Sequence, residues 1–251
     1  MTECKATGRT LPEAKHDRDF IIGVSIGLAQ DFTALAVLER FEELTGEAKN
    51  HKWLTAVRYE APHLERLQLG TGYVEITERL KELIAKLPAH GRLRTLVDRT
   101  VCHRPPIDYM RKEGLEVAPV TIMQSGDARG GIWFGFKVPK LEMVSILQLV
   151  FNDERVKIRD MPEAAELEGE LQTFSYKAPS ATTADLEAWR ERPSDDLVFA
   201  MMLPCWFGER RLGSILTLPP MPRAPVDTRT VTLDELLKLQ PNLDGEPYER
   251  I

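Results

Sequence analysis

Short polar side chains stand at the ends of apolar runs in three parts of the chain: Ser25 with Asp31, Asp98, and the pair Asp195-Asp196. Ser25 follows Ile21-Ile22-Gly23-Val24, and Asp31 precedes a second run, Ala34 to Leu38, bounded by Glu39-Arg40. This pattern predicts a strand, a tight turn bearing Gly27 and a returning strand, with both polar groups at the mouth of a sheet, open to a phosphate or a metal. An ordinary hairpin whose turn carries an aspartate has the same pattern. Asp98 ends the run Leu96-Val97, and ligands of open α/β sheets bind at the carboxyl ends of strands. Asp195 and Asp196 precede the apolar stretch Leu197 to Leu203, where they either cap a helix and complement its dipole or face a site. Carboxylates drawn from separated strands and one helix suit a hard cation. Mg²⁺ or Mn²⁺ takes oxygen ligands, and two such ions about 3.5–4 Å apart clamp the attacking and leaving oxygens of a phosphodiester.

The elements that must position these groups are legible in the hydrophobic periodicity. Residues 20–25, 33–41 and 52–60 read as three strands joined by short links, an antiparallel meander, with 64–70 extending its edge or serving as a connector. Apolar residues at 73, 76, 80, 83, 84 and 87 form a helical stripe ended by Pro88. Then come a buried strand at 94–98, a helix at 106–112 and a strand at 116–122. That order is expected of an α/β domain whose sheet begins antiparallel and continues parallel. The glycine-dense segment 126–135 reads as a mobile loop in which Trp133 and Phe134 serve as anchors or as stacking faces, anchoring being the preferred role. Pro139 opens a further helix, 155–159 reads as a short edge strand, and helices are expected at 162–174 and 194–206.

The chain of 251 residues is long enough for one large core, and the expected organisation is an arm over 1–18, one domain over 19–210 and a Pro-rich tail over 211–251 with a short helix at 233–239. No apolar run reaches the roughly 18 residues of a membrane span and residues 1–18 carry no apolar leader core, so a cytoplasmic protein is expected. Cys4, Cys102 and Cys205 are isolated, which argues against a disulfide framework or a thiolate zinc site. A net charge of −6 supplies no global field for nucleic acid, leaving only a local basic groove for that role.

Val24-Ser-Ile-Gly-Leu-Ala-Gln-Asp-Phe-Thr-Ala-Leu-Ala-Val, Leu96-Val-Asp-Arg-Thr, Val138-Pro-Lys-Leu and Ser194-Asp-Asp-Leu-Val-Phe-Ala resemble, in order, the nuclease domain of phage terminase large subunits and its stand-alone prophage-like relatives, over about residues 19–209. The resemblance implies a ribonuclease H-like mixed sheet flanked by helices. It implies two-metal hydrolysis of double-stranded DNA with Mg²⁺ or Mn²⁺, Asp98, Asp195 and Asp196 as ligands, and Asp31 as a further acid of the first hairpin. The family carries an Asp on the first strand, the ligand that bridges both ions; this chain carries Ser25. Either Asp31 substitutes for it or the site is impaired, and the second account is preferred. No Gly-x-x-x-x-Gly-Lys-Ser/Thr loop occurs, so translocation is not expected of this chain alone, and a portal protein or separate motor subunit becomes the implied partner.

Lys140, Arg129, Arg99 and Arg104 are the candidate phosphate contacts, with Arg111, Lys112 and Lys137 nearby; solvated surface charges have the same look. His103 lacks a partner at ligand spacing. Two rival readings remain: an inactive nucleic-acid-binding or packaging-interaction module, and an actin-like small-molecule kinase, which would need a second phosphate loop not seen between 140 and 210.

Overall fold

The structure, a computed structural model, describes residues 18–27, 31–47, 53–89, 91–100, 102, 104–177, 195–210 and 230–232. The expected arm up to residue 17, most of the expected tail with its short helix, the turn residues 28–30 and His103 lie outside these.

Strands β1 (Asp19–Ser25), β2 (Ala34–Glu47) and β3 (Trp53–Arg66) form the antiparallel meander. The segment beginning at Leu64 therefore extends the third strand. Helix α1 (Tyr73–Lys86) carries the chain back across the sheet to β4 (Leu93–Asp98), which lies parallel to β1 on its other side. Helix α2 (Pro105–Lys112) leads to β5 (Val117–Met123), parallel to β4. This is the mixed sheet of an α/β fold, antiparallel in its first strands and parallel in those that follow.

The glycine-dense segment is not a loop but a hairpin, β6 (Arg129–Gly131) and β7 (Gly135–Pro139), with β7 parallel to β5. Gly130 and Gly135 take φ of 115° and 87°, the left-handed region that a tight hairpin demands and glycine supplies. Helix α3 (Lys140–Asn152) follows at once, then β8 (Val156–Ile158), which pairs with β3 at the far edge. The eight strands are ordered β6-β7-β5-β4-β1-β2-β3-β8. Helix α4 (Pro162–Thr173), a short strand β9 (Ser175–Lys177) and helix α5 (Asp196–Arg210) complete the domain. Thr230–Thr232, within the segment expected as tail, forms β10 and pairs with β9.

Both faces of the sheet are covered, so its central strands are apolar without alternation. Phe20, Ile22, Val24, Leu35, Val37 and Val97 pack against Ile76, Leu80 and Leu83 of α1 and Ile107 and Met110 of α2. The alternate residues, including Ile21, Ala34, Ala36, Leu96 and Val120, pack against α3 and α5. Helix α5 is buried from Asp196 to Trp206, which is why its sequence is apolar all round.

Candidate functional site

The parallel strands β1 and β4 are in register, Val24 beside Val97, so their next residues, Ser25 and Asp98, are neighbours at the carboxyl edge. Side chains alternate along a strand, and Leu96 belongs to the core under α5, so Asp98 and Ser25 point to that same face. Ser25 is paired in turn with Ala34 of β2, and Ala34 with Arg66 of β3. The edge therefore presents, strand by strand, Asp98, Ser25, Ala34 and Arg66.

Helix α5 lies antiparallel to β1 above this row. Its last turn sits at the opposite edge, where Glu209 accepts a hydrogen bond from the Tyr59 hydroxyl at 2.6 Å. Tyr59 is in register with Arg40, and Arg40 with Asp19 at the start of β1. Midway, the helix touches β1 directly: a Cβ on Gly23 would stand 2.0 Å from the Ala200 carbonyl oxygen and 2.6 Å from Pro204 Cδ. Pro204 has no N–H, so that carbonyl lacks its usual donor four residues on and lies against the glycine instead. Ser25 is two strand residues beyond Gly23, about 6.6 Å. Asp196 is four helix residues before Ala200, about 6 Å in the same direction. The packing thus sets Ser25 beneath Asp196 and beside Asp98.

Asp98 is fully buried. Its Oδ1 accepts hydrogen bonds from the Thr100 amide at 2.8 Å and from the Thr100 hydroxyl, which itself accepts the Ile122 amide at 2.9 Å. Three consecutive bonds fix the carboxylate. Ser25 is also fully buried, and its Oγ has no hydrogen-bond partner among the described residues, an arrangement that costs about 1–3 kcal/mol.

Asp195 occupies the cap position of α5, its carbonyl accepting the Phe199 amide at 3.0 Å. The third helical amide, Val198 N–H, is the ordinary target of a capping side chain, but here it donates to Glu170 Oε2 of α4 at 2.9 Å. Glu170 was not legible as a site residue. It is buried, its Oε1 accepts from Arg66 Nη2, and Arg66 also reaches Glu166 at 2.5 Å. Burial, and then the Asp196 and Asp195 carboxylates, push the Glu170 carboxyl up to about 7, against the Val198 amide and Arg66, which hold it down. Glu170 thus ties β3, α4 and the first turn of α5 into one acidic corner.

Lys140 opens α3 and is buried, its Nζ 5.4 Å from the ring centroids of both Phe174 and Phe199. Phe199 is one turn from Asp195, so this cation faces the same corner. Asp31 is half-buried in the β1–β2 connection, its carbonyl packed against Gly27. Arg99 lies on the other face of the sheet, its Nη2 3.3 Å from Thr121 Oγ1. Arg104 is exposed at the start of α2, and Arg129 is exposed on β6. Trp133 and Phe134 are 78% and 93% exposed at the hairpin tip, so they anchor nothing.

Among the described residues no three His, Cys, Asp or Glu side chains gather closely enough to hold a metal ion. The donor set does not fit a two-ion centre as it stands. The position between Asp98 and Asp196 offers a neutral hydroxyl, a poor ligand for a hard cation.

No protein-family model matches the sequence, and no curated protein is significantly similar to it. Solved structures are similar in fold. The large terminase nuclease from the thermophilic phage G20c aligns with a TM-score of 0.49 and 20% identity over 75% of this chain and 81% of its own. The large terminase of a second thermophilic bacteriophage gives 0.49 and 13% over 81% of this chain and 42% of its own. The human cytomegalovirus terminase nuclease domain, soaked with Mn, gives 0.43 and 13% over 76% and 83%.

Proposed function

We propose that this chain is a DNA-directed nuclease domain of the terminase type whose hydrolytic edge lacks one carboxylate. The observation that carries the reading is Ser25: a fully buried hydroxyl without a partner among the described residues, at the carboxyl edge of the mixed sheet beside the strand that ends in Asp98. A fold that buries a polar atom there, under the open end of a helix, keeps the shape of a ligand position while holding the wrong atom in it. Asp98 and Asp196 are the ligands in this reading, with Asp195 and Glu170 behind them and Lys140 as the neighbouring cation. Duplex DNA is the substrate class, and a portal protein or separate motor subunit is the partner.

The experiment is a calorimetric Mn²⁺ titration of the chain and of Ser25→Asp. The variant should bind Mn²⁺ at least tenfold more tightly, and Asp98→Asn in the same background should remove the gain. Equal, weak binding by both folded proteins would refute the reading and leave a non-catalytic interaction module. If Asp31 substitutes for the missing acid, the natural chain already binds Mn²⁺ and Asp31→Asn abolishes it.

A further inference from the structure

The face of the sheet opposite α5 carries a feature that the acidic corner does not use. Arg99 follows Asp98, and its guanidinium reaches Thr121 on β5. Thr121 is in register with Lys137 of β7, and Lys137 with Arg129 of β6. Phe136 and Val138 are buried in the core under α5, so Lys137 points the other way, and Arg129, directly opposite it, points with it. Three cations thus cross neighbouring strands in one row, about 15 Å long at strand spacing.

Lys137 and Arg129 are exposed and make no ion pair or side-chain hydrogen bond with any described residue. Like charges placed directly opposite on a ladder repel, so this hairpin pays for a charge pair that nothing in the described chain neutralises. At its tip, about 10–13 Å further along β7, Trp133 and Phe134 project into solvent. The tip is not slack, because Arg111 of α2 donates to both the Trp133 carbonyl at 3.3 Å and the Val117 carbonyl at 3.1 Å. Two large aromatic side chains therefore stand in solvent, on a tip tied to α2, beside a row of cations of which Lys137 and Arg129 have no partner among the described residues.

That combination fits one ligand chemistry better than others. Phosphates spaced along a backbone answer the row, and unstacked bases answer the rings, because every base has a π face while a paired duplex keeps its faces covered. The geometry points to this hairpin face as a binding surface for single-stranded or unpaired nucleic acid, its phosphates on Arg99, Lys137 and Arg129 and its bases stacked on Trp133 and Phe134. The inference rests on the reading of the chain as a DNA-directed domain. It adds that the surface takes an open strand, such as a frayed or nicked end, rather than an intact duplex.

The test is fluorescence anisotropy of the full chain with a labelled thymidine oligonucleotide and with a duplex of equal length, each at several salt concentrations. The double variant Trp133→Ala/Phe134→Ala should lose about tenfold or more on the single strand and less than twofold on the duplex. Trp133→Phe should keep most of the affinity. Arg129→Ala/Lys137→Ala should weaken single-strand binding and lower its salt slope by about 1.4, the share of two phosphate contacts. If the natural chain binds duplex but the aromatic variants lose nothing on the single strand, or lose equally on both, the hairpin inference is overturned while the functional reading stands. Mn²⁺ binding by Ser25→Asp without any nucleic-acid binding would overturn the hairpin inference and the choice of substrate together.

Discussion

The acidic corner under α5 and the β6–β7 hairpin are opposites in construction. In the corner, Asp98, Ser25, Asp196 and Glu170 are all buried; Asp98 is held by the Thr100 amide, and Glu170 by the Val198 amide and the Arg66 guanidinium. On the hairpin, Arg129, Lys137, Trp133 and Phe134 are exposed and serve no packing purpose. A buried polar group is costly unless its surroundings satisfy it; in the corner Asp98 and Glu170 are held, whereas the atoms Ser25 Oγ, Asp195 Oδ1, Asp196 Oδ2 and Arg66 Nε have no hydrogen-bond partner among the described residues, and of these only Ser25 brings no charge. An exposed group is constrained by nothing in the fold, so the hairpin side chains can be changed without disturbing the packing. Changes in the corner should therefore move stability, and changes on the hairpin should move binding alone.

The largest effect on that contrast is expected from Glu170→Ala, which strips a buried carboxylate from Arg66 and from the Val198 amide together. Urea denaturation should show a loss of about 3 kcal/mol, and a loss below about 1 kcal/mol would mean that Glu170 does not hold the corner together. Gly23→Ala comes next. The new methyl would press on the Ala200 carbonyl, at a cost of about 1–3 kcal/mol in the same assay.

Glu170→Gln gives a smaller change with a characteristic pH signature. The Glu170 carboxyl is raised from 4.5 to about 7 in the folded chain, so between those values the folded state holds more proton than the unfolded one. Its contribution to stability is complete below about pH 4.5 and is lost as pH rises through about 7. The Gln variant lacks this titration, so its stability relative to the natural chain should rise across that window. A constant difference would show that Glu170 does not titrate there. The smallest effect belongs to the hairpin: Trp133→Ala/Phe134→Ala should stay within about 0.5 kcal/mol of the natural stability, and a larger loss would make the tip structural after all.

The strands and helices of the first two-thirds of the chain were legible because each is long and periodic, and Asp98 announced itself by ending an apolar run. Ser25 was legible as a site position for the same reason, and as an anomaly only through the resemblance, which implies an Asp at that point of the first strand. Glu170 was not, since it is one of several acids along α4, and its burial depends on Arg66, more than a hundred positions away in sequence. The β6–β7 hairpin hid for a different reason. Its two glycines, placed for positive φ, looked like the composition of a loop, and a three-residue strand is too short to show alternation. The preference for Trp133 and Phe134 as anchors failed because aromatic residues are buried on average, and only their neighbours in space decide an individual case.

The central claim is that residue 25 is the missing ligand of an otherwise retained hydrolytic edge. Its most direct test is cleavage of supercoiled plasmid in Mn²⁺ by the natural chain, by Ser25→Asp and by Ser25→Asp/Asp98→Asn, each shown to be folded. The account predicts nicking or linearisation by Ser25→Asp at a rate at least tenfold above the natural chain, and a return to the natural level in the double variant. A folded Ser25→Asp protein that binds DNA but cleaves no faster than the natural chain would contradict it.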